Sequence, residues 1–368
     1  MNKLNTDLKG ERLFSLDFFR GLTMFLLIAG GTGLFSQLNN PDLEGTFISN
    51  IFIQFTHHPW NGLRFWDLIQ PFFMFIVGVA MPISFVNRIK RGQTHKQLLR
   101  HTLKRAFILL FLGWSIACIG SGEIVFHFQN VLAQLSVTYV IAFLVMNKPA
   151  RTQILFSLGL LVFADFIYRF FPVEGFNHPF VANENFGTWL DMQYGGANLT
   201  GHWVSFNAIP TAAHTIWGVL AGQLLISNRS AKEKLKILVI AGLIGVVAGY
   251  ALDPITPIIK RIATPSFVIV SGGWTLLALA FSYWLIDMKK QKNWSLFFAI
   301  VGMNPLFIYL FANFGGTGFI EHIIHPFTYA AFGWIGELTA EILTSMLVLY
   351  LMWYLTDWLF KKKIFIRI

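Results

Sequence analysis

Within eleven residues, HHPWNGLRFWD, the chain sets His57, His58, Trp60, Asn61, Arg64, Trp66 and Asp67. Histidine is the side chain suited to carry a proton near neutral pH, and a carboxylate bonded to its ring fixes the tautomer and raises its basicity. Asp67, ten residues after His57, is spaced to serve it in that way. Asn61 adds a side-chain amide to the same run. The same residues also compose an interfacial belt, with Trp60, Trp66 and a histidine at headgroup level. Both readings stand on residue types alone.

Further polar residues sit where apolar ones are expected. Asp17 and Arg20 are three apart in the first apolar run, as a pair that orients a helix or as groups that meet a ligand. Lys260 and Arg261 either face an anionic ligand or pair with Asp253. Asn304, before Pro305 in GMNPLFIYLF, either breaks a helix beside a cavity or marks a kink satisfied by neighbours. The ten histidines do not have metal-ligand spacing: His57 and His58 are adjacent, His322 and His325 are three apart, and no HExxH occurs, so no metal is expected. GxSxG, P-loop and GxGxxG patterns are absent. The single Cys118, in an apolar run, reads as a small buried hydrophobe.

To position such groups the chain must build in lipid. Of 368 residues, 55% are hydrophobic and 12% charged, with mean hydropathy +0.58, far from a soluble domain's usual quarter of charged residues. Disorder and a disulfide-built module are excluded. Apolar runs of about 20 residues, the length that crosses a hydrocarbon core, recur ten times: at 13–36, 66–87, 105–122, 129–146, 152–171, 204–226, 235–252, 265–286, 294–312 and 337–359. A further stretch, 316–334, is interrupted by Glu321, His322, His325, Pro326 and Gly333 and suits a re-entrant or interfacial segment. The expected fold is an all-α polytopic membrane bundle, one domain over residues 1–368, with 37–64 and 172–203 as outer loops.

The net charge of +10 is mostly a topology signal. Of the 28 Lys and Arg, 23 fall on one side of this scheme: Lys3, Lys9 and Arg12; seven from Arg88 to Arg105; Lys148 and Arg151; four from Arg229 to Lys236; Lys289, Lys290 and Lys292; Lys361, Lys362, Lys363 and Arg367. The positive-inside rule makes that side cytoplasmic, with both termini on it, and the expected location is the cell's inner membrane. A nucleic-acid partner is not expected; membrane lipid is.

The runs RLFSLDFFRG, HHPWNGLRFWDLIQPFFMFIVG and GMNPLFIYLF, with the closing KKKIFIRI, resemble the heparan-alpha-glucosaminide N-acetyltransferase family and its bacterial relatives, within a wider set of transmembrane acyltransferases. The resemblance runs from about residue 12 to the end, and the histidine, Trp-Asn-Gly and aspartate block is its most specific part. It implies acetyl-CoA as donor from the cytoplasmic side, the amine of a glucosamine-like sugar or glycan end as acceptor on the other, and a homodimer. The family's catalytic histidine falls on His57, as a general base or as the carrier of the acetyl group, and its aspartate on Asp67. Its Asp-x-x-Arg-Gly falls on Asp17, Arg20 and Gly21, and the basic residue entering the third span on Arg105, next to Lys104. Its lysine before the eighth span falls on Lys260. Asp17, Arg20, Lys104 and Arg105 are thus expected on the donor, and Trp60, Asn61, Lys260 and Asn304 on the acceptor. Two positions depart from the pattern: Gly31 stands for an Asn or His, and Ala133 and Gln134 for a Gln-Arg pair.

Ten spans with intramembrane charges also suit an amino-sugar transporter, although no repeat relates residues 1–180 to 181–368. An O-acetyltransferase of envelope polysaccharide differs only in acceptor.

Overall fold

The computed structural model describes residues 13–291 and 293–366. Lys3, Lys9, Arg12, Lys292 and Arg367, which entered the charge argument, lie outside the described residues. Among those described there is no strand, only one isolated bridge between Asn61 and Ile259. The principal helices are α1 (Phe14–Gly31), α2 (Ile69–Lys90), α3 (His95–Ser121), α4 (Val131–Val145), α5 (Ala150–Phe170), α6 (Ala208–Ile226), α7 (Ala231–Leu252), α8 (Pro265–Ser282), α9 (Ser295–Met303), α10 (Pro305–Phe311), α11 (Thr317–Phe332) and α12 (Glu337–Lys361).

Eight helical stretches among the described residues are long and apolar enough to cross a membrane, so the protein is an all-α, multi-pass membrane protein. Two of the ten expected spans take another form. Helix α4 has 15 residues, about 22 Å at 1.5 Å per residue, and is short for a crossing. The span expected at 294–312 is broken: the chain bends 75° at Asn304, between α9 and the helical run Pro305–Phe332. Proline disfavours the α region for the residue before it, and Asn304 accordingly adopts φ −126°, ψ 47°. A second kink follows at Phe314 and Gly315, where Gly315 takes φ 94°. The segment expected to stand apart at 316–334 therefore continues a helical run that starts at Pro305.

The chain forms two compact units, each described by itself. One comprises Pro59–Leu63 and Gln70–Trp284 and holds α3 to α8 with nearly all of α2. Its basic connections are closed by caps: Thr94 and Gln97 form a reciprocal capping box before α3, as do Ser230 and Glu233 before α7, so the first amides of these helices are satisfied. Small residues let helices approach closely. A Cβ at Gly218 or Gly222 of α6 would strike the carbonyls of Phe75 and Val79, and one at Gly249 of α7 would overlap the Val270 backbone of α8. Between these contacts lies a core of Met81, Phe85, Tyr139, Phe143, Ile216 and Val219.

The other unit comprises Phe14–His58, Arg64–Ile69 and the chain from Leu285 on. Helix α1 packs on α9 with Phe18 edge-on to Trp294 at 5.3 Å and Phe25 edge-on to Phe298 at 5.3 Å. Gly21 and Gly302 permit that approach, since a Cβ on either would meet the other helix's backbone. Helices α11 and α12 are tied by Thr328 to Thr344 at 2.5 Å and His325 Nε2 to Glu341 at 3.1 Å.

Candidate active site

A 3-10 turn, Phe65–Leu68, precedes α2 and fixes the first part of the site. Asp67, three residues into that turn, accepts the Arg64 amide on Oδ2 at 3.0 Å, and the same oxygen accepts the His58 amide at 3.2 Å. Its other oxygen, Oδ1, lies 2.9 Å from His57 Nδ1. A carboxylate accepts and does not donate, so Nδ1 carries the hydrogen and the ring's basic lone pair belongs to Nε2. Asp67 is 1% exposed, whereas the His57 side chain is 39% exposed. The pair is thus a buried anchor and an accessible base.

The loop around His57 is braced from both sides. Arg64 Nη1 donates to Thr56 Oγ1 at 2.7 Å and to the His57 carbonyl at 3.1 Å. Trp66 stands 6.4 Å from the imidazole, ring to ring, and Gly30 makes room for it, because a Cβ there would collide with the indole. Phe35 packs on Trp66, Phe52 and Phe55, closing an aromatic cluster beneath the loop. Arg64 was grouped with this cluster by sequence, but its part in holding the loop shows only in three dimensions.

In the same unit, Arg20 Nη1 lies 3.5 Å from Asp17 Oδ1, the pairing that the i, i+3 spacing allowed. Asn304 is fully buried and reads the backbone of the last described residues: its Nδ2 donates to the Ile364 carbonyl at 2.8 Å and its Oδ1 accepts the Ile366 amide at 3.0 Å. The reading of a kink satisfied by neighbours describes these bonds, and the amide is engaged by chain rather than turned to a cavity.

The other unit gathers three of the residues expected on the acceptor. The bridge between Asn61 and Ile259, with the Gly62 amide on the Ile258 carbonyl at 2.8 Å, stitches Trp60-Asn61-Gly62 to the strip that carries Lys260. Trp60 Nε1 donates to the Phe180 carbonyl at 2.8 Å, and Asn61 is exposed. Lys260, only 7% exposed, places its ammonium 5.3 Å from the Trp203 ring, and the Arg261 guanidinium lies 5.8 Å from the same ring. Asp253, the partner that the sequence offered, accepts the Ile258 amide on Oδ1 at 2.8 Å. Trp203 escaped the sequence reading, since a lone tryptophan in a loop gives no sign that two cations will lie over it.

This unit also carries a basic cluster. The Arg105 guanidinium lies 4.7 Å over the Tyr139 ring and donates to its hydroxyl at 3.4 Å, and its Nε is buried without a hydrogen-bond partner. Lys104 is exposed beside it, and Arg88 Nη2 donates to His101 Nε2 at 2.6 Å. Gln134, one of the positions that depart from the expected pattern, is buried and bonds to the Gln129 carbonyl at 2.9 Å and to Gln70. Thr32, next to Gly31, donates to the Ala29 carbonyl at 2.9 Å. Cys118 is half-buried rather than buried, its thiol 3.6 Å from the Val125 carbonyl.

A second buried carboxylate, Asp191, was not anticipated. It accepts from Gln129 Nε2 at 2.7 Å, from the Ser205 amide at 3.0 Å, from the Tyr194 hydroxyl at 2.6 Å and from the Ser205 hydroxyl. Burial first, then the bond to Asp191, pushes the Tyr194 phenol above its ordinary range. Every donor is neutral, so Asp191 ties the segment 191–205 to Gln129 before α4. Among the described residues no group of three or more His, Cys, Asp or Glu is placed to hold a metal ion.

No family model matches the chain. Two curated proteins are similar to it. The heparan-alpha-glucosaminide N-acetyltransferase of Mus musculus is 31% identical over 137 residues, which cover 36% of this chain and 18% of that protein. The protein of the same name from Homo sapiens is 31% identical over 136 residues, 35% of this chain and 18% of its own length. The chain thus spans less than a fifth of the length of the curated relatives it matches. These similarities support the relationship that the motifs indicated.

Proposed function

We propose that the protein is a membrane-embedded N-acetyltransferase that moves an acetyl group from acetyl-CoA to the amine of an amino sugar or glycan end, with His57 as the general base. The observation that carries this is the 2.9 Å contact between His57 Nδ1 and a buried, fully hydrogen-bonded Asp67. It sets the tautomer a base needs, on a ring that solvent and substrate can reach. The similarity to two N-acetyltransferases supports the acetyl-transfer chemistry.

An amine attacks only as the free base. His57 Nε2 takes one N–H proton as the amine nitrogen bonds to the thioester carbonyl carbon, and Asp67 stabilises the imidazolium that forms. The Asn61 amide donates to the oxygen as it becomes negative. Collapse of the tetrahedral state breaks the C–S bond, and the imidazolium returns its proton to the departing thiolate, so amide and CoA thiol leave with His57 neutral again. Lys104 and Arg105 hold the phosphates of the donor; the buried Nε of Arg105 fits an anion. Lys260 and Trp60 position the acceptor. The protein lies in the inner membrane with both termini cytoplasmic, the orientation that 23 of 28 basic residues favour.

The test is thiol release by the purified protein from acetyl-CoA across a panel of amines and sugar hydroxyls. The expected outcome is release with amino sugars and none with His57→Ala, whose acetyl-CoA binding persists. Full activity in that variant removes the proposed base. Release with hydroxyl acceptors alone makes the protein an O-acetyltransferase, and counterflow of labelled amino sugar without acetyl-CoA makes it a transporter.

A further inference from the structure

The double kink after α9 leaves a cavity of about 440 Å³, widely open to its surroundings and lined by Phe307, Leu310, Phe311, Phe314 and Phe319, by Gly315 and Gly316, and by Ile366 at one side. The volume lies in the range of small-molecule sites, about 300 to 1,000 Å³, and the lining offers aromatic faces and almost no polar atoms. Such a lining selects a hydrocarbon chain. The side formed by Ile366 is held in place, because Asn304 clamps the backbone of Ile364 and Ile366 at 2.8 and 3.0 Å.

The clamp also fixes where charge lies. Lys361 ends α12 and is engaged by Asp357, Nζ to Oδ2, at 2.6 Å. Lys362 and Lys363 follow, both exposed, Lys363 takes φ 56°, and the Ile364 amide returns to the Leu359 carbonyl at 2.9 Å. Two residues, Ile364 and Phe365, therefore separate the exposed lysine pair from the residue that lines the cavity. A cationic pair at the end of an apolar helix, beside an apolar cavity, has the complementarity of an anionic phospholipid: phosphate at the lysines, acyl chain among the phenylalanines.

We propose that this cavity, with Lys362 and Lys363, is a binding site for an anionic phospholipid. The site lies within one unit and does not depend on the acetyl-transfer reading. Each lysine that meets the headgroup contributes about fivefold to the preference for an anionic over a zwitterionic lipid.

The purified full-length protein is titrated in detergent with palmitoyl-oleoyl phosphatidylglycerol or with the phosphatidylcholine of the same chains, and retained lipid is counted by native mass spectrometry. Wild type is expected to retain phosphatidylglycerol in preference. Lys362→Gln with Lys363→Gln brings the two lipids to near parity while leaving retention of the zwitterionic lipid unchanged. Leu310→Trp, which fills the cavity, lowers retention of both. Glycerol 3-phosphate, the headgroup without chains, does not compete. Equal retention of the two lipids by wild type, unaltered selectivity in the lysine variant, or full competition by glycerol 3-phosphate would each overturn the proposal. The lysine variant changes exposed groups only and reads the site even where Leu310→Trp fails to accumulate.

Discussion

Asp67 and Arg105 are both charged side chains drawn into a membrane protein, and their surroundings treat them in opposite ways. The Asp67 carboxylate is shut from solvent, with one oxygen on His57 and the other accepting two backbone amides from its own loop. Arg105 lies on a tyrosine ring, donates one long bond of 3.4 Å and leaves its buried Nε without a partner. A group whose task is to hold a ring in one tautomer gains from being saturated before any substrate arrives, since nothing then competes for it. A group whose task is to bind a phosphate keeps donor capacity, because a buried donor left unmade is costly and a ligand that satisfies it recovers that cost. The difference predicts which kinetic constant each residue controls.

The largest effect belongs to the saturated side. Asp67→Asn keeps the shape, but with its oxygen on the His58 and Arg64 amides its NH2 faces His57 Nδ1, which must then accept, so the ring hydrogen moves to Nε2 and the base is lost. The turnover number is expected to fall by about 100-fold to 10,000-fold, and thermal stability to fall more modestly, because a neutral oxygen replaces a charged acceptor of two backbone hydrogen bonds. The dissociation constant for acetyl-CoA stays near that of wild type. A parallel loss of acetyl-CoA affinity, measured by calorimetry, would show that the pair binds the donor and would dissolve the contrast.

Arg105→Ala should do the converse. KM for acetyl-CoA rises by about 10-fold to 100-fold, the worth of charge-assisted hydrogen bonds, while the turnover number at saturation changes little. Dephospho-CoA loses less than CoA. Arg105→Lys restores charge but not the planar fork and recovers only part of the affinity. Equal losses for CoA and dephospho-CoA would mean that the guanidinium meets another part of the donor.

How much of this was legible in sequence follows the same division. The pairing of His57 with Asp67 could be read because both sit in one eleven-residue run, where spacing alone brings them within reach. The spans could be read because lipid demands long apolar helices. The break at Asn304 was signalled by Pro305, but the bend of 75° was not, nor that the chain would fold its own Ile364 and Ile366 onto that amide. Trp203 under Lys260 and Gln129 on Asp191 join residues 57 and 62 positions apart, and no local pattern encodes such meetings. Asp253, close to Lys260 in sequence, also makes a bond that no pattern announced, its Oδ1 accepting the Ile258 amide.

Lys104 sharpens the comparison from its weakest edge. It adjoins Arg105 but is exposed, so its ammonium is already hydrated and its field is screened by salt over about 8 to 10 Å. An exposed charge of this kind contributes little to a contact, and Lys104→Ala should raise KM for acetyl-CoA by no more than about fivefold at low ionic strength. In 0.5 M salt the difference between wild type and variant is expected to vanish, while the Arg105→Ala deficit persists, because a buried donor bonded to a ligand is screened far less than a solvated one. A salt titration of KM for the two variants separates the cases. Should both deficits fade together, Arg105 acts as surface charge alone, and its buried nitrogen is not what recognises the donor.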